Sequence, residues 1–106
     1  RCYEGADPFL PADVVREFFT RDETVEGSTY ALGWDTPSSA NSTSGAFFSA
    51  NSVGHLGFTG VSIWWDLEKG CHILLLTNRV HLLRDDNKIN EFRPHFHDLI
   101  MKTLDQ

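Results

Sequence analysis

Two neighbouring apolar segments constrain the fold of this 106-residue chain more than any other feature. Residues 53–66 carry three glycines, and this punctuation predicts a short strand, a turn and a second strand that begins near residue 61. Residues 66–70 have the composition of a turn, and residues 71–78 form a continuous apolar run that is typical of a buried strand. Because short turns join antiparallel neighbours, the sequence predicts an antiparallel sheet.

Helical periodicity flanks these strands on both sides. Residues 11–20 repeat Val and Phe at helical spacing, and Pro11 suits the first turn of a helix. Residues 88–104 show a longer apolar stripe, in which Pro94 either kinks the helix or marks the first turn of a shorter one. Residues 28–34 alternate Tyr, Leu and Trp, which predicts a further strand. The fold class is therefore α/β of the α+β type, with an antiparallel sheet of about three to four strands, a short N-terminal helix and a C-terminal helix.

The apolar run of residues 71–78 predicts a strand that is buried on both faces. The C-terminal helix covers one face of the sheet. The short helix and the Ser-rich loop of residues 35–52 offer little cover for the other face. The sequence therefore predicts that residues 1–106 are a single partial domain, which a segment outside them completes.

Composition and charge exclude several classes of function. The net charge is −6 and the nine Lys and Arg residues are scattered, which argues against a nucleic-acid partner. No apolar run approaches the roughly 20 residues of a transmembrane helix. Cys2 and Cys71 form no Cys-x-x-Cys pair, so neither a zinc ribbon nor a thioredoxin-type site fits. A disulfide between them stays open, although a buried free thiol is favoured for Cys71.

The histidines near the C-terminus do not predict a metal site. His95 and His97 are two residues apart, so a helix points them to different faces. We therefore expect His81, His95 and His97 to be structural and to face solvent. We expect neither a metal nor a cofactor.

Three consecutive pieces of the sequence carry a resemblance to a known family. Residues 54–60 read Gly-His-Leu-Gly-Phe-Thr-Gly, residues 61–66 read Val-Ser-Ile-Trp-Trp-Asp, and residues 74–81 read Leu-Leu-Leu-Thr-Asn-Arg-Val-His. In this order they resemble the carboxy-terminal region of class C β-lactamase-like and penicillin-binding-protein-like serine hydrolases, which include β-lactamases, D-Ala-D-Ala peptidases and esterases. The resemblance covers about residues 10–104 and is strongest over residues 54–81. It implies a part of the β-lactamase/transpeptidase-like fold in a bacterial hydrolase.

The resemblance implies a role for each residue at the start of this region. In the family, a Lys-Thr-Gly or His-Thr-Gly triplet lies on the edge strand beside the active site, and residues His55, Leu56 and Gly57 stand in its place here. His55 would line the site, while Leu56 and Gly57 would contact the substrate. The backbone N–H of Phe58 would be one of two oxyanion donors. Without the resemblance, His55 would be interpreted as a turn residue with a satisfied hydrogen bond.

Asn78 and Arg79 are the remaining candidate site residues. In the family, the end of the strand that contains them lies near the substrate cleft, so the resemblance implies substrate binding. The alternative is an ordinary strand terminus, whose arginine pairs with a nearby acid.

Two substitutions separate this chain from the family's pattern. Histidine replaces lysine at His55, and histidine, unlike lysine, loses its charge near neutral pH. Leu56 replaces a threonine, so the hydroxyl that would bind the substrate is missing. These changes weaken the expectation of β-lactam hydrolysis and leave ester and D-amino-acid peptide substrates open.

The nucleophile of the family is absent from the 106 residues. It lies in Ser-x-x-Lys, and here the residues three before the lysines are Asp66, Asp85 and Leu99. Neither Tyr3 nor Tyr30 begins the family's Tyr-x-Asn or Tyr-x-Ser motif. Because both motifs precede the basic triplet in the family, we expect the serine to come from an N-terminal portion of the same hydrolase domain.

Two hypotheses follow from the sequence. In the first, the parent protein hydrolyses a β-lactam, a D-amino-acid peptide or an ester through an acyl-enzyme, and this chain alone is inactive. In the second, the chain is a non-catalytic truncated module that associates with another chain through its exposed sheet. The resemblance is compatible with a periplasmic or an extracellular location, and the sequence itself does not decide the compartment.

Overall fold

The computed structural model describes residues 1–105 and has the α+β class that the sequence predicts. A three-stranded antiparallel sheet is combined with a short N-terminal helix and a longer C-terminal helix. The chain divides into two compact units, Arg1–Thr36 and the part that begins at Pro37. The elements in chain order are α1 (Ala12–Phe18), β1 (Ser52–Leu56), β2 (Ser62–Asp66), β3 (Cys71–Leu75) and α2 (Ile89–Leu104).

The first unit contains α1 and a small aromatic cluster. The helix follows Pro11, carries Asp13 in its first turn, and buries none of its own residues. The ring of Phe19, just after the helix, stacks on Tyr3 at 5.9 Å and meets Trp34 edge-on at 5.5 Å. Because α1 buries none of its own residues, apolar packing in this unit comes from these aromatic contacts and from the buried Ala31.

The strand predicted at residues 28–34 is wrong. Only an isolated bridge between Tyr30 and Asp35 forms there. Gly33 has a φ of +76°, and the Ala31 N–H donates to the Trp34 carbonyl at 2.7 Å, so the chain reverses within the predicted strand. The alternating aromatic and apolar residues therefore lie in a tight turn and not in a strand.

The second unit is the sheet packed against α2. The strands have the order β1-β2-β3, so β1 is an edge strand, and Gly54, Trp64 and Ile73 lie opposite one another. Trp64 is fully buried and forms the core with Ile73, Phe48 and Met101. A side chain at Gly54 would collide with the Trp64 indole, so the glycine lets this large ring lie flat across the sheet.

Helix α2 is amphipathic, and its buried face carries polar residues. Arg93, His97 and Met101 are buried at a spacing of four residues, which places them on one side of the helix. Pro94 lies inside the helix, because the helix begins at Ile89. The alternative in which Pro94 opens a shorter helix is therefore wrong.

The turn between β2 and β3 is organised by one carboxylate. Asp66 is almost fully buried and accepts hydrogen bonds from Ser49, Glu68 and Lys69. Burial opposes ionisation of Asp66, but these hydrogen bonds outweigh it and keep the pKa of the carboxyl below its usual value. The charged form of Asp66 therefore ties the turn to the loop before β1.

The sheet face away from α2 leaves large apolar side chains exposed. In β3, Ile73 and Leu75 are buried, whereas Leu74 is 50% exposed and Leu76, just beyond the strand, is 79% exposed. The prediction that this segment is buried on both faces is wrong for the described residues. Neither helix of residues 1–105 is long and apolar enough to cross a bilayer.

Candidate active site

The last residues of β1 begin the candidate site. His55 is exposed and pairs with Ile63 of β2, on the sheet face away from α2. It adjoins a shallow pocket of about 180 Å³ that Leu74 and Leu76 also line. The imidazole has no hydrogen-bond partner among residues 1–105, and the residue lies in a strand. The alternative of a hydrogen-bonded turn histidine is therefore wrong.

Gly57 ends the pairing of β1 and starts a β-turn. Its N–H donates to the Val61 carbonyl at 2.9 Å, and the Gly60 N–H donates to the Gly57 carbonyl at 3.0 Å. A Cβ atom at Gly57 would overlap the Val61 side chain, which would have to shift, so local packing alone already favours glycine here. Leu56 precedes this turn and is half-buried.

Phe58 is the second residue of this turn, and its backbone N–H is unpaired. No oxygen atom of residues 1–105 accepts a hydrogen bond from it. The phenyl ring is 60% exposed, and the guanidinium groups of Arg79 and Arg84 lie over it at 4.9 and 5.2 Å. The amide is therefore neither part of the sheet ladder nor packed in the core.

An open pocket of about 330 Å³ adjoins the turn. It brings together four of the six predicted site residues, Leu56, Gly57, Phe58 and Arg79, and does not include His55 or Asn78. The remaining lining residues come from the start of α2 and the segment before it: Asn87, Ile89, Asn90 and Arg93.

Arg79 belongs to this pocket through a set of hydrogen bonds to carbonyl oxygens. Its Nε donates to Phe58 at 2.8 Å, and its Nη1 donates to Arg84 at 3.0 Å and Asp86 at 2.9 Å. Within residues 1–105 no carboxylate forms a salt bridge with it, so the alternative of a terminal arginine paired with an acid is wrong. Asn78 is exposed and borders a neighbouring open pocket of about 350 Å³, which Arg79 also lines.

Sequence reasoning missed Arg93. Its side chain is 5% exposed and donates to the carbonyls of Gly57, Gly60 and Val61 at 3.1, 3.0 and 3.3 Å. Burial and the nearby charge of Arg79 both lower the pKa of Arg93, although an arginine stays protonated in proteins. The available signal was a charged residue on the apolar stripe of the C-terminal helix.

The pocket is electropositive because two arginines line it without a carboxylate partner among the described residues. The donors of Arg79 and Arg93 that form hydrogen bonds are bound to backbone carbonyls, so the two arginines contribute mainly charge to the pocket. Such an arrangement favours a negatively charged group in the pocket.

A second polar cluster lies in the core, away from the pocket. His97 is fully buried, its Nε2 is 3.0 Å from the Ser62 hydroxyl, and its Nδ1 is 3.2 Å from the Thr43 carbonyl. Because a carbonyl only accepts, Nδ1 carries the proton and Nε2 accepts from Ser62. Ser62 is 3% exposed, so this Ser–His pair is a structural contact that no substrate reaches.

The other histidines follow the sequence prediction only in part. His95 is exposed, with its Nδ1 2.7 Å from the Glu91 carbonyl, so it and His97 do point to different faces of α2. The expectation that His97 faces solvent is wrong, because it points into the core. Within residues 1–105 no group of three or more His, Cys, Asp or Glu side chains is placed to hold a metal ion. Cys2 and Cys71 are both free thiols.

Comparison with known proteins gives no relative: no family model, no curated protein and no solved structure matches this chain.

Proposed function

We propose that this chain is the carboxy-terminal part of a serine hydrolase related to the β-lactamases and penicillin-binding proteins. In this proposal Leu56 and Gly57 line the substrate cleft beside Phe58, whose N–H stabilises the oxyanion of an acyl-transfer intermediate. His55 borders the separate pocket on the other face of the sheet and would act from there. The nucleophilic serine comes from a Ser-x-x-Lys motif in an N-terminal portion of the same domain. The substrate is an ester, a D-amino-acid peptide or a β-lactam.

The unpaired N–H of Phe58 is the observation that carries this proposal. It lies in a turn beside an open pocket, and no described residue accepts its hydrogen. A backbone N–H in such a place can donate to an oxygen that becomes negatively charged during reaction. Arg79, at the same pocket, adds positive charge that favours an anionic group of the substrate or of the intermediate.

The resemblance adds the order of the elements to this support. His55 and Leu56 lie on an edge strand and Gly57 follows it. Two further antiparallel strands and then a helix come after them. The resemblance implies this succession for the later strands and last helix of the family. Arg79 lines both the pocket beside Phe58 and the one that Asn78 borders, and we propose a role for Arg79 ahead of Asn78 in binding the substrate.

Two substitutions at one position test the oxyanion role in the natural polypeptide that contains this chain. Phe58→Pro removes the N–H, and proline is accepted at the second position of a β-turn. Phe58→Ala removes the same ring but keeps the N–H. We expect the proline variant to turn over p-nitrophenyl esters about 10²–10³-fold more slowly than the alanine variant. Equal rates for the two variants would rule out the Phe58 amide as an oxyanion donor.

The isolated 106 residues provide the control for this experiment, because they lack a Ser-x-x-Lys serine. Neither nitrocefin nor a p-nitrophenyl ester should be turned over above the rate in buffer. A clear turnover by the pure chain would contradict the assignment of the nucleophile to an upstream segment.

A second candidate function is a non-catalytic module that binds another chain. The observation that favours it is the exposure of Leu74 and Leu76 on the sheet face away from α2. Self-association or co-elution with a second polypeptide, without any effect of Phe58 substitutions on hydrolysis, would favour this function over the first.

A further inference from the structure

The turn between β1 and β2 has an unusual hydrogen-bond pattern. Every carbonyl oxygen from Gly57 to Val61 accepts at least one hydrogen bond, while the N–H of Phe58 donates none within residues 1–105. Two arginines supply most of these donors. Arg79 binds the carbonyls of residues 58 and 59, and Arg93 binds those of residues 57, 60 and 61.

Arg93 reaches this turn from the buried face of α2. Its guanidinium is planar and presents donors in fixed directions, so binding to three carbonyls from one group defines the shape of the turn. A flexible point charge such as a lysine ammonium cannot define three directions in the same way. Gly60, with a φ of +97°, provides the backbone conformation that brings these oxygens together.

One of these hydrogen bonds acts directly on the oxyanion donor. The Gly57 carbonyl and the Phe58 N–H belong to the same peptide group, which is planar and trans, since residues 1–105 contain no cis peptide bond. The carbonyl and the N–H of a trans peptide point in opposite directions. Holding the Gly57 oxygen against the Arg93 Nη2 and the Gly60 N–H therefore turns the Phe58 N–H away from the core.

We propose that Arg93 is a positioning residue that fixes the direction of the Phe58 N–H. Without Arg93, only the Gly60 N–H holds the Gly57 oxygen, so the 57–58 peptide group is less constrained and its N–H changes direction more easily. The inference rests on the proposed function for its meaning, because only an oxyanion donor gains from a fixed direction. The geometry of the turn itself does not depend on the identity of the substrate.

The test measures the order of single N–H vectors by ¹⁵N relaxation in the 106-residue chain. In the wild type we expect the Phe58 amide to have an order parameter near about 0.85, the value of rigid backbone. In Arg93→Met it should fall below about 0.6, while the amide of Trp64 in β2 stays rigid. Arg93→Lys, which restores a charge and some donors, should give an intermediate value.

Arg84→Gln is the matched control, because Arg84 also lies over Phe58 but donates no hydrogen bond to the turn. It should leave the order of the Phe58 amide unchanged. A rigid Phe58 amide in Arg93→Met, or the same loss of order in Arg84→Gln, would overturn the proposal.

A measurement on the wild type decides the matter if Arg93→Met does not fold. The Arg93 Nε–H donates to Gly60, so it should be as rigid as the Phe58 amide. A mobile Nε–H beside a rigid amide would overturn the proposal, since Arg93 could not then be what holds the turn. These measurements report on positioning alone, whereas the comparison of Phe58→Pro with Phe58→Ala reports on catalysis, so the two proposals can fail separately.

Discussion

His97 connects three parts of the second unit through one neutral imidazole. Its ring lies on α2, accepts from Ser62 of β2, and donates to Thr43 of the loop that precedes the sheet. Burial lowers the pKa of His97, and the charge of Arg93 acts in the same direction. The hydrogen bond to Thr43 and the charge of Asp98 act against this but do not reverse it.

This shift makes stability depend on pH with a defined sign. Because the folded-state pKa lies below the unfolded value of about 6.5, the unfolded chain binds more protons between the two values. The contribution of His97 to the free energy of unfolding is therefore fully present above pH ~6.5. It is lost as the pH falls from there to the folded-state pKa, at up to about 1.4 kcal/mol per pH unit.

Urea unfolding at a series of pH values measures this slope. The His97→Gln variant should be less stable than the wild type, and its free energy of unfolding should no longer fall with pH in this range. His95→Gln, on the exposed face of the same helix, should keep it. A wild-type stability that stays flat between pH 7 and pH 5 would contradict the prediction.

At the scale of residues, sequence reasoning identified local neighbours and missed distant ones. Leu56, Gly57 and Phe58 are adjacent in the chain, and Arg79 follows them after one hairpin, so their common pocket follows from short connections. Arg93 contacts the same turn at a sequence separation of 32 to 36 residues, and no local sequence pattern predicts such a contact.

At the scale of elements, Gly54 shows how one residue sets the packing of a strand. It lies opposite Trp64, and a methyl group at this position would overlap the indole ring. Trp64 is fully buried and packs against Phe48, with ring centroids 5.9 Å apart, so the indole cannot move aside to make space.

We therefore expect Gly54→Ala to destabilise the chain by about 1–3 kcal/mol, as measured by urea unfolding. The clash with the indole can be separated from other effects by a double-mutant cycle. In a Trp64→Leu background, the same glycine substitution should cost less, with a coupling of at least about 0.5 kcal/mol. Additive effects of the two substitutions would show that the ring is not the cause.

The elements themselves were largely predictable where the pattern was continuous. The glycines separated β1 from β2, the apolar run marked β3, and the stripe of residues 88–104 marked α2. The failure at residues 28–34 has a local cause, because the positive φ of Gly33 bends a segment whose alternation otherwise favours a strand. Period-two alternation alone does not distinguish a strand from such a turn.

At the scale of the whole molecule, one face of the sheet packs against α2 and the other is exposed around Leu74, although Val53 on that second face is buried. The cluster around Trp64 and Met101 occupies the face towards α2, while Leu74 and Leu76 remain exposed beside His55 on the other. The expected burial on both faces came from the apolar run alone. A run of apolar residues indicates that both faces of a strand can be buried. It does not indicate that residues of the same chain bury them.

This open face predicts that the isolated chain associates in solution. Exposed Leu74 and Leu76 form apolar surface whose burial is favourable, so the apparent mass in size-exclusion chromatography with light scattering should rise with concentration. Replacing both leucines with lysine should restore the monomer, because a charged side chain is costly to bury. Leu99→Lys, at a residue of α2 that is 68% exposed, should leave the association unchanged. If the wild type stays monomeric at every concentration, the exposed face does not drive self-association. If the lysine at position 99 is equally effective, association depends on net charge and not on this face, since the chain already carries a net charge of −6.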